Sequence, residues 1–188
     1  SLSVLALVLS GLLALPASAA PVAYVLEPEK STVGFETDFG PDRITGRMPV
    51  ASADLVLDFQ SVANSRIAVT LDVAHAEASF PFASQAMRGP KVLDADDHPN
   101  ITFRSKKVRP NGDGALVDGD ITIRGVTRPI TLAAQLFRQQ GTESGDLSHL
   151  TVSLKGKVLR SDFGATGWSD MVGDEVRLDI LARVARAD

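Results

Sequence analysis

The chain has 188 residues, a net charge of −4 at pH 7 and no cysteine. This length suits one domain that buries a sizeable core. Because the charge is weakly acidic and Lys and Arg are scattered, nucleic-acid binding has no electrostatic support. The missing cysteines exclude a disulfide framework, a thiolate metal site, a cysteine nucleophile and a lipoprotein anchor attached to a cysteine of this sequence.

The first twenty residues carry no charge, and Leu2 to Leu15 is almost entirely Leu, Val and Ala. Pro16 ends this run, and the small residues Ala17 to Ala20 form a site that signal peptidase accepts. We therefore expect residues 1–20 to be a cleaved signal peptide, residues 21–188 to be the mature domain, and the protein to be periplasmic rather than a lipoprotein. The alternative is a transmembrane helix, which needs a longer apolar run of roughly 20 residues.

Apolar and polar residues alternate along most of residues 21–188, which is the pattern of half-buried β-strands. The apolar positions are Leu55, Leu57 and Phe59, then Ile67 to Val73, Ile101/Phe103, Ile121/Ile123, Ile130/Leu132, Leu150 to Leu154 and Val176 to Val184. Turn signals separate these runs at residues 111–114, 124–129, 141–146 and 173–174. About eight strands with no helical pattern between them predict one all-β domain, an antiparallel sandwich or barrel.

One stretch breaks the alternation. Residues 80–90 (FPFASQAMRGP) have proline early and Gly-Pro at the end, which suits a short helix or an ordered insert. Phe82, Ala86 and Met87 would form a small apolar patch on it, and Leu93 follows. Such an insert is either a lid or plug of the barrel or an Ω-loop packed on itself.

Residues able to perform chemistry are sparse. His75, His98 and His149 are far apart in sequence, with no pair at metal-ligand spacing. Asp94 to Asp97 lacks the glycine and the later glutamate of a calcium loop, and there is no nucleophile elbow or phosphate-binding loop. We expect no metal, no catalytic residue and no enzymatic activity; an enzyme using Asp38, His75 or Asp162 is the least favoured alternative.

The predicted barrel offers volume instead. An eight-stranded barrel either fills its interior with side chains or holds one small ligand. The inward positions are mainly aliphatic, since the whole chain has 8 Phe, 1 Trp and 1 Tyr. An aliphatic lining leaves room for a flexible apolar chain, whereas the alternative is a fully packed core.

Four segments resemble YceI-like proteins, in the right order and over nearly all of the mature chain. They are residues 26–35 (LEPEKSTVGF), 94–105 (DADDHPNITFRS), 119–130 (GDITIRGVTRPI) and 160–176, which contains RSDFG and VGDEV. YceI-like proteins are exported bacterial proteins with an extended lipocalin-like barrel that binds polyisoprenoids and other long-chain lipids. The resemblance implies an extended antiparallel eight-stranded barrel for this chain.

The sequence departs from the family pattern at three places. Lys30 replaces a histidine of the first strand, Asp38 replaces a second histidine, and Ala83 to Gly89 replace an "RD.HL" stretch. If these positions contact the polar end of a ligand in other members, this protein binds a different ligand or binds it differently.

The leading hypothesis is a periplasmic carrier or scavenger of an apolar lipid, such as a polyisoprenoid or an isoprenoid quinone, with no other cofactor. Burial of each methylene of such a tail contributes about 0.8 kcal/mol. We expect Phe35, Leu57, Phe59, Val69, Leu71, Phe103, Ile121 and Ile123 to line the tunnel, and Phe82, Met87 and Leu93 to form its mouth or cap. Phe163 is a further candidate, and Trp168 and Met171, which follow it, would line the other end; alternatively Phe163 and Trp168 plug the barrel.

The second hypothesis is an accessory partner of a membrane redox protein of the cytochrome b561 type, which the family resemblance suggests. In that case the barrel is packed, no lipid is bound and the outer surface makes the contact. Either hypothesis allows a homodimer.

Overall fold

The computed structural model describes residues 20–188, so residues 1–19 of the predicted signal peptide lie outside the described residues. These residues form one α-helix, α1 (Pro81–Arg88), and short 3-10 turns at Pro28–Lys30, Val62–Asn64 and Arg160–Phe163. The strands are β1 (Val22–Leu26), β2 (Thr32–Phe39), β3 (Asp42–Met48), β4 (Val50–Leu57), β5 (Arg66–Asp72), β6 (Glu77–Ala78), β7 (Asn100–Asn111), β8 (Gly114–Ile123), β9 (Val126–Arg138), β10 (His149–Leu159) and β11 (Val172–Arg186).

Eight strands close into an antiparallel ring in the order β1-β4-β5-β7-β8-β9-β10-β11, and β11 pairs back onto β1. Strands β2 and β3 extend this ring, because β2 pairs with β11 between Val172 and Leu181 and β3 pairs with β2. The all-β, eight-stranded barrel predicted from the sequence is confirmed.

Prolines explain why two of the barrel strands are each divided in two. The turn that begins at Pro28 separates β1 from β2, and Pro49 separates β3 from β4. Proline has no backbone N–H to donate to a ladder, so the pairing is interrupted there. The halves pair on either side of the interruption, but in different registers: Tyr24 lies opposite Leu55, and Val33 lies opposite Met48.

Three of the four predicted turn regions separate strands, and one prediction is wrong. Turns at residues 112–113 and 124–125 join β7 to β8 and β8 to β9, and residues 139–148 join β9 to β10. Gly173-Asp174 is not a turn but part of β11, where the register with β2 shifts between Val172 and Val176. The Thr37 hydroxyl donates to the carbonyls of Gly173 and Glu175 (3.1 and 2.9 Å) and holds this bulge in the sheet.

Two apolar clusters fill different parts of the barrel. The larger one contains Val73, Val117, Ile121, Leu132, Leu154 and Phe163 among its buried members. The smaller one contains Tyr24, Leu55, Leu57, Leu150 and Val184. Among residues 20–188, no helix has the length and apolar character needed to span a bilayer.

Candidate functional site

The barrel encloses a large apolar cavity. The volume open to the centre of a water molecule is about 290 Å³. The total volume that the lining atoms leave empty, including the open mouth, is about 2170 Å³. The surface that its wall exposes is apolar. It arises because successive side chains of a strand point to opposite faces, so the alternating aliphatic residues point into the ring. Because side chains leave this volume empty, the interior of the barrel is not fully packed.

The structure brings most of the predicted site residues to this wall. Thirteen of the fourteen lie on it: Phe35, Leu57, Val69, Leu71, Phe82, Met87, Leu93, Phe103, Ile121, Ile123, Phe163, Trp168 and Met171. Their role in ligand binding remains a prediction.

Phe59 is the residue that does not belong to the wall, so its predicted place in the tunnel is wrong. Strand β4 ends at Leu57, and the Asp58 carboxylate accepts backbone N–H groups of Gln60 and Ser61 (3.0 and 2.9 Å). The chain therefore turns before Phe59 and the alternation stops. The Phe59 ring packs edge-on against Tyr24, with ring centroids 5.8 Å apart.

Part of the cavity wall lies on β3, which no sequence pattern predicted. Ile44 and Met48 line the cavity from this strand, and Leu26 and Val33 do so from β1 and β2. The signal was the alternation Ile44-Gly46-Met48. It is weak because its central member is a glycine, which carries no hydrophobic side chain.

Inward-facing glycines keep the cavity open. A Cβ atom on Gly119 would lie 2.7 Å from ring atoms of Phe103, and one on Gly156 would lie 2.6 Å from a methyl group of Leu132. The Phe103 ring and the Leu132 side chain therefore lie against the wall, in the space that a Cβ atom at Gly119 or Gly156 would need. This leaves the centre of the barrel free.

Helix α1 and the short strand β6 form one end of the barrel, where β6 pairs with β3. The predicted short helix is confirmed, with Pro81 at its start, where a missing N–H costs nothing. The Ser84 hydroxyl accepts the N–H of Ala78 (2.8 Å) and joins the helix to β6. Phe82, Ala86 and Met87 face the cavity, so the insert lies over its mouth.

The segment from Arg160 to β11 reaches the same mouth. The buried Arg160 guanidinium donates to the carbonyls of Gly173, Ala165, Gly167 and Val172 at 2.7 to 3.1 Å. Burial lowers the pKa of Arg160 from its usual value, and nearby Asp174 opposes that change. The guanidinium thus fixes the loop that carries Trp168.

Trp168 and Met171 lie at the α1 end, so their expected place at the opposite end of the tunnel is wrong. The N–H of Gly167 donates to the Lys91 carbonyl (2.8 Å), and Lys91 Nζ lies 5.5 Å from the centre of the Trp168 ring. This tie between the loop before β11 and the loop after α1 joins segments almost eighty residues apart, which no local pattern reveals.

Aromatic packing closes the opposite end. Tyr24 is buried beside Leu57 and Leu150, and its hydroxyl donates to the Leu147 carbonyl (2.8 Å). Together with Phe59, Tyr24 takes the plugging role that the sequence analysis considered for Phe163 and Trp168.

Two of the departures from the family pattern lie away from the cavity. Lys30 Nζ pairs with Glu27 (2.9 Å), and Asp38 accepts a hydrogen bond from Arg177 (2.9 Å) on the barrel exterior. Arg177 also donates to Glu36 (2.8 Å) and holds the pKa of that carboxyl below its usual value. Of the departing positions, Ala83, Ala86 and Met87 are those that face the cavity.

Titratable groups do not converge on the site. In the part of the chain that the structure describes, no three His, Asp or Glu side chains come together as a metal site would require. His75 is exposed, with Nδ1 2.7 Å from an oxygen of Asp72. That the protein is not an enzyme and holds no metal remains a prediction.

Comparison with known proteins identifies a family. The YceI-like domain matches residues 24–184. A UPF0312 protein of Vibrio vulnificus is 33% identical over 137 residues, or 71% of this chain and 72% of that protein. A UPF0312 protein of Vibrio parahaemolyticus is 32% identical over 127 residues, or 65% of this chain and 67% of that protein.

Solved structures share the fold. BcnA of Burkholderia cenocepacia superposes with a TM-score of 0.75 at 22% identity, covering 84% of this chain and 98% of BcnA. A polyisoprenoid binding domain from Saccharophagus degradans, implicated in plant cell wall breakdown, gives a TM-score of 0.63 at 13% identity, covering 88% and 99% of the two chains. At these identities the likeness establishes the barrel architecture alone.

Proposed function

This chain belongs to the YceI-like family, and on that premise we propose that it binds one long-chain apolar lipid inside its barrel, as a periplasmic carrier or scavenger. The observation that carries the proposal is the cavity itself, which is large, apolar-walled and bordered by side chains of nearly every strand. An apolar cavity of this kind does not hold ordered water, because water there would have too few polar partners. An apolar ligand gains by leaving water for the same space.

The shape and chemistry of the wall favour a polyisoprenoid or the tail of an isoprenoid quinone. Aliphatic side chains such as Val69, Leu71 and Ile121 dominate the wall, and the aromatic rings of Phe35 and Phe103 lie back against it. A branched, flexible hydrocarbon fills such a space through many weak contacts rather than through a few directed hydrogen bonds. The polyisoprenoid binding domain of Saccharophagus degradans shares this fold and supports the choice.

The test is chemical analysis of the lipid carried by the protein. The full chain is produced in a bacterial host, purified without detergent, and examined by native mass spectrometry and by reverse-phase chromatography of its organic extract. We expect one apolar lipid per barrel. A wild-type protein that carries no lipid, and that takes up no added polyprenol or ubiquinone, contradicts the proposal.

Two neighbouring residues provide a variant and its matched control. Leu71 points into the cavity, whereas Thr70 lies on the outer face of the same strand. We expect Leu71→Trp to fill the cavity and to lose most of the bound lipid, and Thr70→Trp to retain it. Equal lipid content in the two variants argues against binding inside the barrel.

The periplasmic location is tested separately. Cell fractionation, with N-terminal sequencing of the recovered protein, is expected to place the protein in the periplasm with its first residue near Pro21. A cytoplasmic protein that retains residues 1–20 would contradict export.

A further inference from the structure

We propose that the open mouth of the barrel docks on the surface of a phospholipid bilayer. The contact is made by Phe80, Phe82, Trp168 and Met171, which we call the mouth patch. This inference rests on the proposed function for its purpose, because a carrier of membrane lipids has to exchange them with a membrane. The surface itself is argued from exposed side chains and can be tested without a bound lipid.

The mouth patch contributes apolar surface both to the cavity and to the exterior of the barrel. Phe82 is 68% exposed, Met171 48% and Phe80 37%, yet all three also line the cavity. Helix α1 buries little of itself, since Ala83 is its one buried residue. The apolar surface therefore continues from the inside of the barrel to its outside at the α1 end.

This continuity matters for the transfer of a lipid. Each methylene that has to enter water on its way between bilayer and barrel lowers the rate of transfer by about fourfold. When the mouth patch sits in the headgroup region, the tail passes from acyl chains to the cavity wall along apolar surface. Docking on the bilayer therefore removes a barrier that free diffusion of a long tail through water would impose.

Trp168 carries the chemistry of a membrane interface. Its ring faces the cavity mouth while Lys91 Nζ stands 5.5 Å from the ring centre. Tryptophan and lysine both place an apolar body in the bilayer and a polar tip in the headgroup region. Trp168 also has a φ of 55°, a left-handed backbone conformation that costs a bulky residue free energy. The Arg160 hydrogen bonds hold the loop in that conformation, and so hold the ring at the mouth.

The charges around the mouth patch suit phospholipid headgroups. Lys91 follows α1 and forms no ion pair with another residue between 20 and 188, whereas the Arg88 guanidinium at the end of α1 donates to the Ala76 carbonyl (3.4 Å). A cation such as Lys91 beside an apolar patch attracts the phosphates of lipid headgroups. Asp170 lies between Trp168 and Met171 in the sequence, so the rim has both signs and the apolar side chains provide most of the binding.

The single tryptophan of the sequence makes the proposal directly measurable. The full chain is mixed with vesicles of phosphatidylcholine and a minority of phosphatidylglycerol whose acyl chains carry bromine, which quenches tryptophan on contact. We expect the protein to sediment with the vesicles and Trp168 emission to be quenched. Phe82→Ser is expected to weaken vesicle binding about tenfold.

Phe137 supplies the matched control. It is 52% exposed, comparable to the residues of the mouth patch, and it lies near the end of β9, at the opposite end of the barrel. We expect Phe137→Ser to bind vesicles as the wild type does. An equal loss in both serine variants, or no sedimentation of the wild type, would overturn docking through the mouth.

Bound lipid and vesicle binding are measured on the same preparations, so the two proposals can fail separately. A protein that carries lipid but ignores vesicles overturns docking alone. A protein that docks but carries no lipid overturns the proposed function alone. A patch that instead pairs two copies of the chain would appear as a dimer in light scattering that Phe82→Ser converts to monomer without vesicle binding, and this would also overturn docking.

Discussion

The ring of Phe35 on β2 lies directly over Gly46, its cross-strand partner on β3. A Cβ atom at Gly46 would stand 2.7 Å from Cε2 of that ring and would also collide with the backbone carbonyl of Glu77 on β6. The missing side chain of Gly46 is therefore what allows Phe35 to lie against the wall and leave the cavity open. It also lets β6, and α1 behind it, approach the barrel.

The first prediction follows from this contact. Gly46→Ala is expected to push the Phe35 ring into the cavity, lower the amount of bound lipid and reduce the free energy of unfolding by about 1–3 kcal/mol. Lipid extraction and urea unfolding measure the two effects. Gly141→Ala is the control, since Gly141 has a φ of +89° but open space around it. That variant should lose stability without losing lipid, and a Gly46→Ala protein with full lipid content would contradict the model of the wall.

Phe59 gives a second prediction, because it packs on Tyr24 and not on the cavity. Phe59→Ala is expected to lower the free energy of unfolding by about 2–3 kcal/mol, since it leaves a void against the Tyr24 ring. The bound lipid should remain at the wild-type level. Urea unfolding and lipid extraction test both halves, and loss of lipid from a folded Phe59→Ala protein would place this residue back on the cavity wall.

The third prediction concerns Arg160. Replacing it by methionine leaves four backbone carbonyls without their donor in a largely buried place, and is expected to cost about 3 kcal/mol of stability. Arg160→Lys should restore part of this, because an ammonium group donates fewer directed hydrogen bonds than a guanidinium. Thermal unfolding measures the cost, and a shift of Trp168 emission to longer wavelength reports release of the loop. Unchanged emission in Arg160→Met would show that the loop holds its shape without the guanidinium.

The fourth prediction is a pH dependence. Hydrogen bonds from Arg109 first, and then from Thr131, lower the pKa of Asp118 to about 2 from an ordinary 3.8. Because the folded-state pKa is the lower one, Asp118 stabilises the fold above about pH 4, and this contribution is lost as the pH falls toward 2. We expect Asp118→Asn to unfold more easily at pH 7 and to lose less stability between pH 4 and pH 2.

Arg109 tests the cause of that pKa. Its guanidinium donates to both carboxylate oxygens of Asp118, at 2.7 and 2.9 Å. Arg109→Gln should therefore weaken the acid dependence in the same pH range, measured by urea unfolding at each pH. A wild type whose stability does not change between pH 4 and pH 2 would contradict the low pKa.

Local patterns in the sequence predicted β4, β5 and β7 to β11, but not the first three strands or β6. Strict alternation at residues 65–73 predicted β5 and the inward side of Ile67, Val69 and Leu71, because a strand has a period of two whatever its partner. The break at residues 80–90, with its early proline and final Gly-Pro, predicted a short helix or an ordered insert, and the structure has α1 there. The inference of an apolar interior follows from these inward positions.

Contacts between distant segments decided the rest. β11 pairs with β1 and β2 across some 150 residues, which closes the ring, and Lys91 meets Trp168 across almost eighty. Those contacts put Trp168 and Met171 at the same mouth as Phe82, whereas sequence order alone had suggested the opposite end. Likewise, because β4 ends at Leu57, Phe59 packs on Tyr24 and does not line the cavity. Because β11 pairs with β2, Gly173-Asp174 forms a bulge within β11 and not a turn.

The sequence by itself thus determined which faces of the strands are apolar, since that depends only on neighbours along the chain. Which residues meet at the mouth, which ones close the far end and whether the interior stays open depended on pairing and packing across the chain. Gly46 under Phe35 shows the difference most clearly. The sequence alone does not show why a single glycine stands in a strand. The structural role of Gly46 depends on the Phe35 ring that lies over it.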